Sequence, residues 1–326
     1  MLNFIFRRLG ESLVVLLVMS LLVFAGVYAI GSPVDLLISP DATPADIAQV
    51  TRALGLDRPL WVQYFYFLRN VLDGDLGRSF MFSTPAIELL LSRMPATMEL
   101  AVAAMFIATV LGIPLGLIAG LKADSWIGKT IMTLSIFGFS LPTFWVGLVL
   151  IMFFAVELGW LPSSGRGPTT TLWGMPVSFL SLDGLRHLLL PALNLALFKL
   201  ALIIRLTRAG TQEALLQDYV KYARAKGLRA RRIIGVHVLK NIMIPIVTVI
   251  GLEFGSVIAF AIVTESIFAW PGMGKLLIDS INNLDRPVIV AYLCVIVVFF
   301  VVINLLVDLA YAFLDPRVRL GAKASA

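Results

Sequence analysis

Six stretches of this chain are apolar for long enough to cross a bilayer, which takes about 20 residues. They run Leu9–Ile30, Glu99–Leu121, Ile131–Leu158, Leu188–Leu206, Ile242–Thr264 and Val288–Phe313. The segment between the first two is mixed rather than apolar. In "TPADIAQVTRALG", Thr43 reads as an N-cap, Pro44 as a first-turn residue and Gly55 as a stop. In "LDRPLWVQYFYFLRNVLDGDLG", Trp61, Tyr64, Phe65, Leu68, Val71 and Leu72 recur at helical spacing, predicting a helix whose apolar face packs on the bundle. A surface that also docks a partner outside the membrane is compatible with that packing. The pattern therefore predicts an all-α membrane protein: an N-terminal anchor at 1–30, an extracytoplasmic helical segment at 31–94, a membrane body at 95–313 and a tail at 314–326.

Composition agrees. Of 326 residues, 59% are hydrophobic and 14% charged, against about a quarter charged in ordinary soluble proteins. "VYA" at 27–29 looks like a cleavage site after Arg7 and Arg8. The preceding apolar run exceeds the roughly 7–15 residues of a signal peptide, so a retained span is expected. The net charge of +6 does not mark a nucleic-acid binder, because the basic residues flank apolar spans instead of sharing one face. With Arg7 and Arg8 placed in the cytoplasm, Lys122, Lys129, the Arg205–Lys240 loop, Arg317, Arg319 and Lys323 fall there too. Six spans with both termini cytoplasmic is the consistent topology.

Inside the apolar stretches, Gly112, Gly116 and Gly120 stand four apart, as do Gly251 and Gly255, and small residues at that spacing admit a close second helix. Pro142 in "SLPTFW" removes a ladder hydrogen bond and is expected to bend the third span.

Enzymatic signatures fail on inspection. "ADSWIGKT" and "AWPGMGKL" resemble phosphate loops but begin with Ala123 and Ala269 where the first glycine belongs. "GFSLP" at 138–142 misses the nucleophile-elbow pattern at its last position. His187 and His237 do not make a metal site alone, and the single Cys294 excludes an internal disulfide. No catalytic residue, metal or bound cofactor is expected.

The loop from Arg205 to Lys240 carries nine Lys and Arg against Glu213 and Asp218. Within "EALLQDYVKYARAKGL", Leu215, Tyr219, Tyr222 and Ala223 follow helical spacing and Gly227 terminates. An amphipathic helix on anionic lipid explains the charge but does not require Gly227. A docking element for a cytoplasmic protein also uses the small Ala223 and Ala225.

The chain resembles the first permease subunit of dipeptide, oligopeptide and nickel ABC importers, in the type I membrane-domain group. The likeness rests on "LGLDRPLWVQYFYFL", "GDLGRSF", "SLPTFWVGLVL", "HLLLPALNLAL", "DYVKYARAKGL", "LKNIMIPIVTVIG", "TESIFAWPGMGKLLIDSI" and "NLLVDLAYAFLDPRVR", in that order. It implies a coupling helix in the loop at 207–240 that sits in a cleft of a cytoplasmic ATPase, with Asp218, Tyr219, Ala223, Arg224, Ala225, Lys226 and Gly227 at the contact. Two departures from the general importer signature stand out: Lys221 occupies the glutamate position, and Gly227 to Pro245 spans eighteen residues instead of about thirteen. The longer spacing is similar to the peptide-transporter branch. The resemblance further implies a second homologous permease subunit, two ATPase subunits that use ATP and Mg, an extracytoplasmic solute-binding protein, and residence in the bacterial cytoplasmic membrane. Peptide, glutathione and chelated nickel stay open as substrates, with di- or oligopeptide favoured. A rival of another class, an ion-coupled secondary transporter, predicts inverted repeats around midplane charges, and no such repeat is visible.

Two charges are not explained by the resemblance. Lys199 lies in "LALFKLALIIR" and Glu253 in "GLEFG", each inside a span, where one charge alone costs roughly 3 kcal/mol. At about 1.5 Å per residue, Lys199 stands roughly 9 Å above Arg205 and Glu253 roughly 12 Å above Pro245. Two arrangements follow: a direct pair between antiparallel spans, or separate placement along an aqueous path.

Overall fold

The computed structural model describes residues 2–29, 43–53, 56–172 and 174–314, and these are mostly helical. In chain order the helices are α1 (Leu2–Ala29), α2 (Pro44–Ala53), α3 (Leu60–Leu72), α4 (Ala86–Leu121) and α5 (Trp126–Ser140). Then come α6 (Thr143–Glu157), the hairpin β1 (Thr170–Leu172) and β2 (Met175–Val177), α7 (Leu182–Leu216) and α8 (Asp218–Ala225). The chain continues through α9 (Ala230–Ile267), α10 (Met273–Asn282) and α11 (Arg286–Leu314). The described residues fall into two compact units, one of Met1–Ser92 with Asp279–Val302, the other of Arg93–Ile278 with Ile303–Ala326.

Among the described residues, five helices are long and apolar enough to span: Arg8–Gly26, Ala86–Leu121, Leu182–Leu216, Ala230–Ile267 and Arg286–Val307. The expected third span is different. It is two helices, α5 and α6, meeting at 104° across Leu141 and Pro142. Pro142 does more than bend a helix: Leu141 is extended (ψ 138°), and Pro142 caps the next helix with no backbone N–H to donate. The pair counts as a sixth crossing only if it is one broken span.

Several expected boundaries move. The second span begins at Ala86, not Glu99, and runs through Pro95 and Pro114. Prolines inside spans are tolerated where neighbouring groups satisfy the freed carbonyls. The fourth continues to Leu216, so most of the expected 205–240 loop is helix. The hairpin and α10 were not legible at all. Gly55, Ile30, Arg317, Arg319 and Lys323 lie outside the described residues.

In the first unit, Ser20 and Tyr64 share a hydrogen bond of 2.8 Å, and Phe24 meets the rings of Tyr64 and Phe67 at 5.4 and 5.7 Å. The expected apolar face of α3 splits: Tyr64, Leu68 and Val71 are half-buried, while Trp61, Phe65 and Leu72 are exposed. The "GDLGRSF" motif forms a tight loop. Gly77 takes a positive φ of 83°, Ser79 donates to the Asp285 carboxylate, and Phe80 N–H donates to Asp285 Oδ1 at 3.1 Å.

The second unit is organised by glycine contacts. A Cβ on Gly112 would stand 2.7 Å from Ile203 Cγ2, one on Gly116 2.6 Å from Thr207 Cβ, and one on Gly120 2.6 Å from Thr211 Cβ. Three small residues on α4 thus match three residues four apart on α7, as the spacing predicted. Gly251 similarly admits Val307, 2.8 Å from its virtual Cβ, and Gly255 is buried in α9. The two rejected phosphate-loop stretches are packing sites: Gly128 lies against the Lys122 carbonyl, while Gly272 and Gly274 lie against the Glu265 carboxylate.

Candidate functional site

The basic segment folds as a helix set off from its neighbours. Gln217 is extended (ψ 148°) and breaks α7 from α8, and Gly227 closes α8 with a φ of 72° that L side chains rarely adopt. Val220 and Ala223 turn inward, in a buried cluster with Ala214, Ile233, Val238, Ile242 and Ile246. Tyr219 and Tyr222, expected on the apolar face, are exposed. Ala223 therefore holds α8 from behind and is not a surface for a partner. The outward side carries Asp218, Tyr219, Lys221, Tyr222, Arg224, Ala225, Lys226 and Gly227. Asp218 and Lys221 pair at 2.9 Å in solvent, worth little to stability. Beside α8, Gly210, Glu213, Gln217, Tyr219, Asn241 and Pro245 line an open groove of about 530 Å³. A short helix with an exposed basic face is thus backed by apolar contacts to both long helices.

Within the spans, the structure brings Lys199 and Glu253 together. Lys199 Nζ donates to Glu253 Oε2 at 2.5 Å and to Ser256 Oγ at 2.7 Å. The Phe198 and Phe260 rings stand 5.7 and 5.9 Å from the ammonium, near enough for cation–π attraction. Ser256, three residues after Glu253 and so on the same face of α9, is the partner that the sequence hid.

A second polar constellation was missed. Glu99 is buried and accepts from Arg166 Nε at 2.9 Å, Ser178 N–H at 2.8 Å, Ser178 Oγ at 2.7 Å and Phe179 N–H at 2.9 Å. Buried Glu265 accepts from Thr97 Oγ1 at 2.6 Å and Lys275 N–H at 3.0 Å. Trp270 Nε1 donates to the Ala96 carbonyl at 2.8 Å. Thr97 and Glu99 sit near the ends of apolar stretches, where a polar residue reads as a boundary; only the fold shows that each carboxylate gathers a loop.

Comparison with known proteins gives these features a setting. The family model for the binding-protein-dependent transport system inner membrane component matches residues 112–320, and its N-terminal counterpart matches residues 1–101. The chain is 41% identical to the dipeptide transport system permease protein DppB of Escherichia coli strain K12, across 98% of this chain and 99% of that one. It is also 41% identical to the di/tripeptide transport system permease protein DppB of Pseudomonas aeruginosa strain UCBPP-PA14, with the same coverage. The glutathione transport system permease protein GsiC of Escherichia coli strain K12 is 37% identical, across 98% of this chain and 99% of that one. Among solved structures, an inward-facing form of the MetNI methionine ABC transporter superposes with a TM-score of 0.57 at 16% identity, covering 72% of this chain and all of that one. That likeness is one of fold.

Proposed function

The chain belongs to the family of binding-protein-dependent transport system inner membrane components, and on that footing we propose that it imports di- or oligopeptides as one half of a heterodimeric ABC permease. The observation that supports the substrate class is the end-to-end similarity, at 41% identity, to permeases of dipeptide and di/tripeptide systems. A second homologous subunit completes the pore, a solute-binding protein delivers substrate from outside, and two ATPases dock inside. ATP and Mg belong to those ATPases. The outward side of α8, from Asp218 to Gly227, is their contact, and both termini are cytoplasmic.

Glutathione is the second reading, supported by the 37% identity to a glutathione permease over the same length. Both are short amide-linked solutes that carry an ammonium and at least one carboxylate. The test has two parts. A tagged chain solubilised from its own membrane is expected to bring down a second permease, two ATPases and a binding protein. Cells lacking the gene are expected to lose uptake of radiolabelled L-alanyl-L-alanine while keeping uptake of free alanine. Loss of glutathione uptake alone moves the assignment to the second reading. Purification without any ATPase overturns the importer assembly.

A further inference from the structure

Lys199 and Glu253 do not exhaust their hydrogen-bonding capacity on each other. An ammonium has three N–H donors and a carboxylate two oxygens. Lys199 gives one donor to Glu253 Oε2 and one to Ser256 Oγ. Ser256 Oγ lies 2.8 Å from that same Oε2. Among the described residues, the third Lys199 donor and Glu253 Oε1 meet no protein partner. The two groups are also unequally covered: the Lys199 side chain is 7% exposed and that of Glu253 is 30% exposed. Around them the walls are aromatic. Phe198 stacks on Phe139 at 4.2 Å, and Phe260 beside the ammonium is 68% exposed.

A pair that only tied α7 to α9 has little reason to be ionic. Replacing a buried ion pair with apolar groups of similar size is often neutral or stabilising, and charges inside spans mark solute and ion pathways. What the geometry offers is a cationic donor and an anionic acceptor side by side, open on the carboxylate side and framed by aromatic rings. We infer that Lys199 and Glu253 form a binding site for the two charged ends of a zwitterionic solute, Lys199 taking its carboxylate and Glu253 Oε1 its ammonium. The inference deepens the peptide-import reading and rests on it. A solute with both ends ionised exchanges its contacts with those of the pair. Neither protein charge is left uncompensated as the solute arrives or departs, which removes the main cost of charge at that depth.

The test uses the whole importer in proteoliposomes with L-alanyl-L-alanine as probe. The double change Lys199→Met with Glu253→Gln removes both charges at nearly constant volume. Its membrane yield is expected to exceed that of either single variant, and each copy that assembles with the ATPases is expected to take up the probe at least about tenfold more slowly, the factor that about 1.4 kcal/mol represents. Uptake unchanged in an assembled double variant overturns the inference and leaves the peptide reading standing. No uptake of the probe by the unaltered importer overturns both. Where the double variant does not assemble, equilibrium binding decides. Radiolabelled probe is bound to the unaltered permease–ATPase assembly without binding protein, and N-acetyl-alanyl-alaninamide, which carries neither charge, is added in large excess. Failure of that competitor to displace the probe is expected; displacement as effective as by unlabelled probe overturns the site.

Discussion

Arg166 reaches Glu99 at 2.5 Å although 67 positions separate them in the chain. The same guanidinium nitrogen donates to the Pro176 carbonyl at 2.6 Å, and the other Glu99 oxygen collects Ser178 and Phe179. One carboxylate on α4 thereby fastens both ends of the β1–β2 segment. Both side chains are nearly covered, at 9% and 3% exposure, so the pair is poorly screened.

Removing one partner of such a pair strands the other, at about 3–5 kcal/mol. Arg166→Ala is therefore expected to lower thermal stability sharply in detergent, read as the monodisperse fraction surviving a heating series. Arg166→Lys recovers only part, since an ammonium is a point charge and lacks the guanidinium fork that spans Glu99 and Pro176. An Arg166→Ala protein as stable as the parent removes the latch from the account.

The α4–α7 contact gives a prediction with its own control. A Cβ at Gly116 would stand 2.7 Å from the Ile204 carbonyl as well as 2.6 Å from Thr207, and backbone does not move aside cheaply. Gly116→Ala is expected to cost about 1–3 kcal/mol, the usual range for overpacking. Gly138, also in a helix, has nothing within 4 Å of its virtual Cβ. Gly138→Ala is expected to be neutral or stabilising by up to about 1 kcal/mol. Equal melting temperatures for the two variants contradict the close approach.

The glycine stripe was legible because its spacing is a property of one helix, and Gly112, Gly116 and Gly120 announce a close neighbour without saying which. The α8 helix was legible for the same local reason. What the sequence withheld was long-range. Nothing near Glu99 points to Arg166, nothing near Thr97 points to Glu265, and Ser79 gives no hint of Asp285. The exposed face of α8 was misjudged because Tyr219 and Tyr222 are apolar enough to fit the inward stripe that Val220 and Ala223 occupy. The α5–α6 break shows a further limit: a proline signals a bend, but whether two helices part by 104° depends on what each packs against.

Pairing of Lys199 and Glu253 is open to a double-mutant cycle on folded yield, separate from any role in binding solute. Lys199→Met leaves Glu253 without its cation and Glu253→Gln leaves Lys199 without its anion, so each single change is expected to lower yield. The double change removes both liabilities and is expected to recover part of the loss, a coupling of about 0.5–3 kcal/mol. Defects that add return the two charges to independent roles along the path.

The basic residues give an orientation that can be tested. With Arg7 and Arg8 cytoplasmic, the charge rule predicts that Lys122, Lys129, the basic residues of Arg205–Lys240 and Arg317, Arg319 and Lys323 share that side. A reporter fused after Arg319 is expected to read cytoplasmic, and one inserted near Gly55 external. The reverse pair of signals turns the whole arrangement over.

The last prediction separates bulk from strain at the proposed ATPase contact. Gly227 is open to solvent but holds a φ of 72°, so a large residue there changes both the surface and the backbone, at roughly 1–2 kcal/mol for the left-handed conformation. Gly227→Trp, expected to abolish uptake, does not say which effect matters. Ala225 and Gly227 together do. Ala225 is exposed on a regular helical turn, so Ala225→Trp adds bulk to the outward side with little backbone cost. Gly227→Asn keeps the left-handed turn, which asparagine tolerates, and adds little volume. If α8 seats in an ATPase cleft, Ala225→Trp inserts at normal yield, loses ATPase on purification and loses uptake. A centrally placed clash there is worth about 2 kcal/mol or more, in the range of interface hot spots. Gly227→Asn keeps both. Ala223→Trp differs again: Ala223 is buried against Ile233, Val238 and Ile242, so its failure appears as lost protein rather than lost partner. Full uptake by a well-inserted Ala225→Trp protein removes α8 from the interface. Loss of ATPase binding by Gly227→Asn alone makes the turn, and not the helix face, the element that the ATPase reads.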